Sequence, residues 1–401
     1  QSDWRLIALG NPSASTGNTK KALDAHGVLM DDGKIGFVYH EVVNVLGSDQ
    51  HRVTFQTYAA DGTVGSKVTL YNRLTTPTQD LHPCIMKLPN GRLLVYHYLE
   101  DLGQDTVQVQ AWTSTDHGAN WTLANSACLD NAIDVSPATA GYDLGTRPAA
   151  KMRAAYSGGQ VLLLISHRSN DTSGTYVDGF HQYASSNQGM SFETVEVWDL
   201  ESIGVQQSIV PSYNGFEVYY ISRVSGTDRP IRKSLSSAFI PLSTATQFQG
   251  PNALRNGDFE IGAFTTDKYQ DAELEAVLGD DGNLYVLARA RVDGVSNNVT
   301  NLLIAADFTG GANRTANYRT LGQGTGGTAA SAPNTGLIWY GENTTDTLKN
   351  LGLVAAHGRI AMFHNWFSGT STRDDSLAVA FLGGYNDVTL GAYRDDGQFP
   401  R

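Results

Sequence analysis

Six copies of one short unit run through the 401-residue chain, and they limit its fold more than any other feature. Each copy is an apolar run, a turn ending in glycine and a second apolar run. The unit reads GVLMDDGKIGFVYHE around Gly33, PCIMKLPNGRLLVYHY around Gly91 and AAKMRAAYSGGQVLLLISHR around Gly159. It returns as QSIVPSYNGFEVYYISR around Gly215, LEAVLGDDGNLYVLARAR around Gly282 and LGLVAAHGRIAMFHNW around Gly358. The six glycines stand 58, 68, 56, 67 and 76 residues apart. Two apolar runs around a glycine-bearing turn form a β-hairpin signal. Further strand-like runs between copies, such as 51–60 and 106–114, bring each repeat to three or four strands. Six such repeats predict an all-β, six-bladed β-propeller. Solenoid repeats are shorter, and a sandwich would not keep this spacing. The glycine-rich stretch 321–336 reads as a long loop inside the fifth repeat, so residues 1–401 are expected to form one domain.

Bulk properties narrow the partners. The formal net charge is −12 and no Lys/Arg cluster occurs, which argues against nucleic acid, whose phosphates demand a basic face. No apolar run approaches the length of a membrane span. Two cysteines, Cys84 and Cys128, leave pairing open against two buried free thiols. No EF-hand-like or Cys/His spacing is present, so no metal and no cofactor is expected. The chain begins at Gln1 with no signal peptide, which reads as a processed mature protein or a piece of a longer one. A secreted, cell-surface or virion-exposed setting fits this composition, and a larger assembly such as a phage tail stays open.

After the second repeat comes Ser114-Thr115-Asp116-His117-Gly118-Ala119-Asn120-Trp121, and after the third a degraded copy, Ser185 to Phe192. In such an octet the Asp side chain takes backbone N–H groups of a tight turn and the closing aromatic packs against the sheet. The pattern S-x-D-x-G-x-x-W resembles the Asp-box (BNR repeat) of the sialidase superfamily, a feature that speaks for fold and not for activity.

That resemblance extends to candidate site residues. Glu273 and Arg289 flank the fifth turn as the sialidase catalytic Glu and second arginine do, and Arg373 opens a strand similar to the one supplying the third arginine. Asp105 falls near the family's catalytic Asp. The pattern is incomplete. Leu81-His82-Pro83 stands where the family has Arg-Ile-Pro, and Asp24, with His26 close by, stands where its tyrosine is expected. The sequence therefore resembles a divergent sialidase without the full sialic-acid machinery.

In a propeller the starts of the innermost strands converge on one channel mouth. Here those starts carry Asp24 and His26, Asp80 and His82, Asp143 and Arg147, Gln206 and Gln207, Asp271 and Glu273, and Asn350. Paired carboxylates drawn from Glu273, Asp105 and Asp24 would suit glycoside hydrolysis. Arg289, Arg373, Arg147, His26, His82 and the aromatic face of Trp366 would hold a carbohydrate. A polysaccharide lyase using His, Tyr and Arg, a non-catalytic glycan-binding adhesin and a structural propeller are the alternatives.

Overall fold

A computed structural model describes residues 3–8, 15–74, 81–101, 106–134, 142–143, 151–170, 176–198, 207–212, 215–221, 231–240, 246–247, 273–279, 284–291, 299–306, 316–323, 347–367 and 376–384. These residues form antiparallel strands gathered into six sheets in a propeller arrangement. The first sheet runs Thr19–Leu29, Ile35–Val45, Ser48–Tyr58 and Val68–Arg73, each strand pairing with the next. The same up-and-down order recurs from Cys84–Lys87, from Met152–Ser157, from Gln207–Ser212 and from Glu273–Leu278. The last sheet takes Thr347–Ala356, Arg359–Phe367 and Ser376–Gly384, and its fourth strand is the amino-terminal Asp3–Ala8.

Every repeat hairpin lies between the first and second strands of a sheet. Gly33, Gly91, Gly159 and Gly358 take the positive φ of those turns, while Gly282 lies outside the described residues. The six first strands touch one another in sequence order and the sixth returns to the first, so they close a ring. Second strands such as IGFVYHEVVNV are buried along nearly their whole length, because each sheet is covered on both faces by its neighbours. The core accordingly sits between sheets. Met30, Val53 and Phe55 of the first sheet pack with Ile85 and Val95 of the second. Cys84, Tyr96 and Val109 of the second sheet pack with Met152, Leu163 and Tyr183 of the third. Cys84 and Cys128 are both buried free thiols in that layer, and burial pushes each up to about 12.

The two octets fold alike. Ser114 Oγ accepts from Gly118 N (3.0 Å), and Asp116 Oδ1 accepts from Asn120 N (2.9 Å). In the second octet Ser185 Oγ accepts from Gly189 N (2.9 Å), and Asn187 Oδ1 accepts from the N–H groups of Met190 and Ser191. Each turn joins the third and fourth strands of its sheet and leans on the preceding sheet. Trp121 meets Phe55 edge-on with centroids 5.0 Å apart, and Phe192 meets Tyr96 at 5.5 Å. Gly118 and Gly189 hold φ near +83° and +82°, and a Cβ there would lie 2.2 Å from Phe55 and 2.1 Å from the Tyr96 hydroxyl. Gly118→Ala is therefore expected to cost about 2–4 kcal/mol through backbone strain plus overpacking. Gly47→Ala, also at positive φ but with nothing near its Cβ, isolates the strain alone and is expected to cost less in the same urea titration.

Candidate functional site

The first strand of the first sheet is broken midway by a bulge at Asp24–Ala25, where the register shifts between Leu23 and His26. A bulge re-aims the side chain it carries. Asp24 takes φ +56° and His82, just before Cys84–Lys87, takes φ +37°. Non-glycine residues held in the left-handed region cost free energy and persist only where surroundings enforce them. These two meet: His82 Nδ1 lies 2.9 Å from Asp24 Oδ2. The His82 ring stands edge-on to buried Tyr98 at 5.5 Å. Gly352, at a bulge in the last sheet's first strand, makes room for the backbone of the Asp24–Ala25 bulge, since a Cβ there would lie 2.4 Å from the Ala25 carbonyl oxygen. Burial raises the Asp24 pKa, but His82, with His40 and Arg153 beyond it, outweighs burial and holds the carboxyl below its ordinary range.

One layer deeper an ion cluster crosses the ring. Glu275, only 2% exposed, receives Arg153 Nη2 at 2.7 Å, Lys151 Nζ at 2.5 Å and Ser208 Oγ at 2.8 Å. Arg153 also donates through Nε to both carboxylate oxygens and through Nη1 to Met152 O. The third, fourth and fifth sheets are thus tied at their first strands. Burial would raise the Glu275 pKa, yet Arg153 and Lys151 prevail and bring it down to about 2. His26 borders this cluster. Burial, then the charge of Arg153, lowers its pKa to about 3. Gln207 joins the same level, its Nε2 donating to Lys151 O at 2.9 Å.

The sequence-derived candidates divide three ways. Asp24, His26 and His82 come together at the ring. Glu273 and Arg289 face each other in register across the fifth hairpin, and Trp366 pairs in register with Leu348 and Ser376; for these three the backbone placement is described. Asp105, Arg147 and Arg373 lie outside the described residues, as do Asp80, Gln206 and Asp271. Asp143 belongs to a two-residue strand pairing with Arg168, so the third sheet's first strand begins beyond it, at Met152. Lys151, Arg153, Ser208 and Glu275 were not among the sequence-derived candidates. A signal existed in the alternation Lys-x-Arg within AAKMRAAY and Glu-x-Glu within ELEAVL, which puts like charges on one strand face. Among the described residues no group of three His, Cys, Asp or Glu side chains could hold a metal ion, and no helix is long and apolar enough to cross a membrane.

This arrangement of sheets is that of β-propeller glycosidase structures. A protein of unknown function from Dyadobacter fermentans superposes with TM-score 0.56 at 14% identity, covering 95% of this chain and 99% of that one. The α-L-arabinanase of Penicillium chrysogenum, complexed with arabinobiose, gives 0.56 at 10% identity over 95% and 98%. The NanB sialidase from Streptococcus pneumoniae gives 0.54 at 8% identity over 94% and 70%. At these identities the likeness is one of fold. No family model and no curated protein matches the sequence.

Proposed function

We propose that residues 1–401 form one six-bladed, sialidase-like propeller with Asp-box turns, acting outside the cytoplasm on a surface or polymeric glycan. The single observation that carries this reading is the Asp24–His82 contact. Two side chains from different sheets are held in a costly backbone conformation and meet level with the start of the second sheet's first strand. Strain of that kind gathers at functional sites. The fold likeness to an arabinanase and a sialidase supports carbohydrate as the ligand class.

In this reading the protein is a glycoside hydrolase. Asp24, kept ionised by His82, is a base or nucleophile, and Glu273 is the second carboxylate, as hydrolysis of a glycosidic bond requires. Arg289, Arg373, Arg147 and Trp366 hold the sugar, and Asp105 is the third acidic candidate. A second reading, glycan binding without cleavage, draws support from Glu275. Both its oxygens are engaged by Arg153, Lys151 and Ser208, so this carboxylate is closed to chemistry.

The test is a panel of arabinan oligosaccharides and sialosides scored for both binding and sugar release. Wild type is expected to release sugar from at least one binder. Glu273→Gln is expected to keep binding while release falls about 10²–10⁴-fold. Release that survives in both Glu273→Gln and Asp24→Asn would sink the hydrolase assignment; binding without release by wild type would establish the second reading.

A further inference from the structure

A cavity of about 360 Å³ occupies the other half of the ring. Its wall begins at His26, Arg153 and Glu275 and continues along the first strands to Leu29, Tyr156 and Leu278. All six first strands contribute to it, and it reaches the strand ends, where Leu278 is 38% exposed. Asp24, His82 and Lys151, which lie before the lining residues of their strands, do not line it. The ion cluster is therefore a partition, with the proposed glycan mouth on one side and this cavity on the other.

The hydrogen-bonding capacity of the partition is one-sided. Glu275 is saturated, as described above, and offers no acceptor. His26 differs. Its Nδ1 accepts from Ile85 N at 3.1 Å, so the neutral ring carries its proton on Nε2. Nε2 makes no hydrogen bond among the described residues, and the side chain, nine-tenths buried, borders the cavity. Nε2–H thus opens onto the cavity, placed to donate to an acceptor bound there. Beyond this end the wall combines apolar residues such as Val28, Ile209, Val277 and Leu353 with polar groups, Lys87 among them.

We propose that this cavity is a second binding site, for a small apolar molecule bearing one acceptor oxygen, such as a ring ketone, ester or ether. Its apolar body fills the space between the strand ends, and its oxygen accepts from His26 Nε2–H. Apolar walls with a few placed polar groups are the ordinary make-up of small-molecule sites. The site stands apart from the proposed glycan mouth, and each can fail without the other.

Acetophenone serves as the probe, titrated into ¹⁵N-labelled full-length protein while the histidine imidazole nitrogens are followed by NMR. Saturable binding with a shift of the His26 Nε2 resonance is expected, weakened at least about tenfold in His26→Phe. Ile209→Trp and Val28→Trp fill the cavity from opposite walls, and whichever folds is expected to lose binding while other histidines keep their shifts. No saturable binding by wild type would overturn the proposal. Undiminished binding by a folded cavity-filling variant would overturn it equally.

Discussion

Acidification from pH 7 towards pH 4 is expected to unfold the protein cooperatively. Three histidines are held neutral by burial: His26 and His40 are lowered to about 3 and His97 to about 4. In the unfolded chain each titrates near the ordinary value of about 6.5. Between those limits the unfolded state binds protons that the native state refuses, so stability falls as pH falls. Three protons correspond to a slope of about 4 kcal/mol per pH unit. Counted from about pH 6.5 downward, that slope removes about 5 kcal/mol by roughly pH 5.3 and about 10 kcal/mol by about pH 4, against a total stability of about 5–15 kcal/mol. Glu275 adds a lower-lying contribution of the same sign. Its depressed pKa contributes stability that is complete above the unfolded carboxyl value and lost as pH falls through about 2. Urea titrations at pH 7.5, 6 and 5 check this. The expected result is a steeply falling midpoint and, in His97→Gln, a slope smaller by about one proton. A midpoint unchanged from pH 7.5 to 5 would show that the buried rings are not held neutral.

Glu275→Ala is the second change with a large expected effect. It leaves Lys151 and Arg153 facing each other in the ring, both nearly buried, without their shared counter-charge. Removing one partner from a buried ion pair costs about 3–5 kcal/mol, chiefly because the remaining charge stays buried. The Ser208 hydroxyl loses its carboxylate acceptor as well. Replacing Glu275, Lys151 and Arg153 together by methionine removes all three charges, and most of the loss is expected to return. Equilibrium urea unfolding of the single and triple variants distinguishes the two cases. If the triple variant is as unstable as Glu275→Ala, packing outweighs charge at the partition.

The six hairpins were legible because each carries its own local signal: a glycine-bearing turn between two apolar runs. The two octets were legible for the same reason, since their hydrogen bonds span at most four residues. The ion cluster was not. Arg153 and Glu275 are 122 residues apart, and only closure of the ring brings them together. In a sheet buried on both faces, alternation shows that Glu273 and Glu275 share a face but not which partner that face meets. In the third repeat Asp143 pairs with Arg168 on the same edge of Gln160–Asn170 as Met152–Ser157, so it prolongs that edge past the start of the ring strand without belonging to it. Asp24 and His82 were chosen for their chemistry and position. Their direct contact depends on a bulge and two left-handed residues that no propensity announces.

The central claim is that a glycan meets the ring where its first strands begin. Hydrogen exchange with and without the best binder from the glycan panel tests this most directly. Slowed exchange is expected in the segments around Asp24, His82 and Glu273, with the octet turns at 114–121 and 185–192 unchanged. Protection confined to the octets or to outer strands, with none near Asp24 and His82, would contradict it.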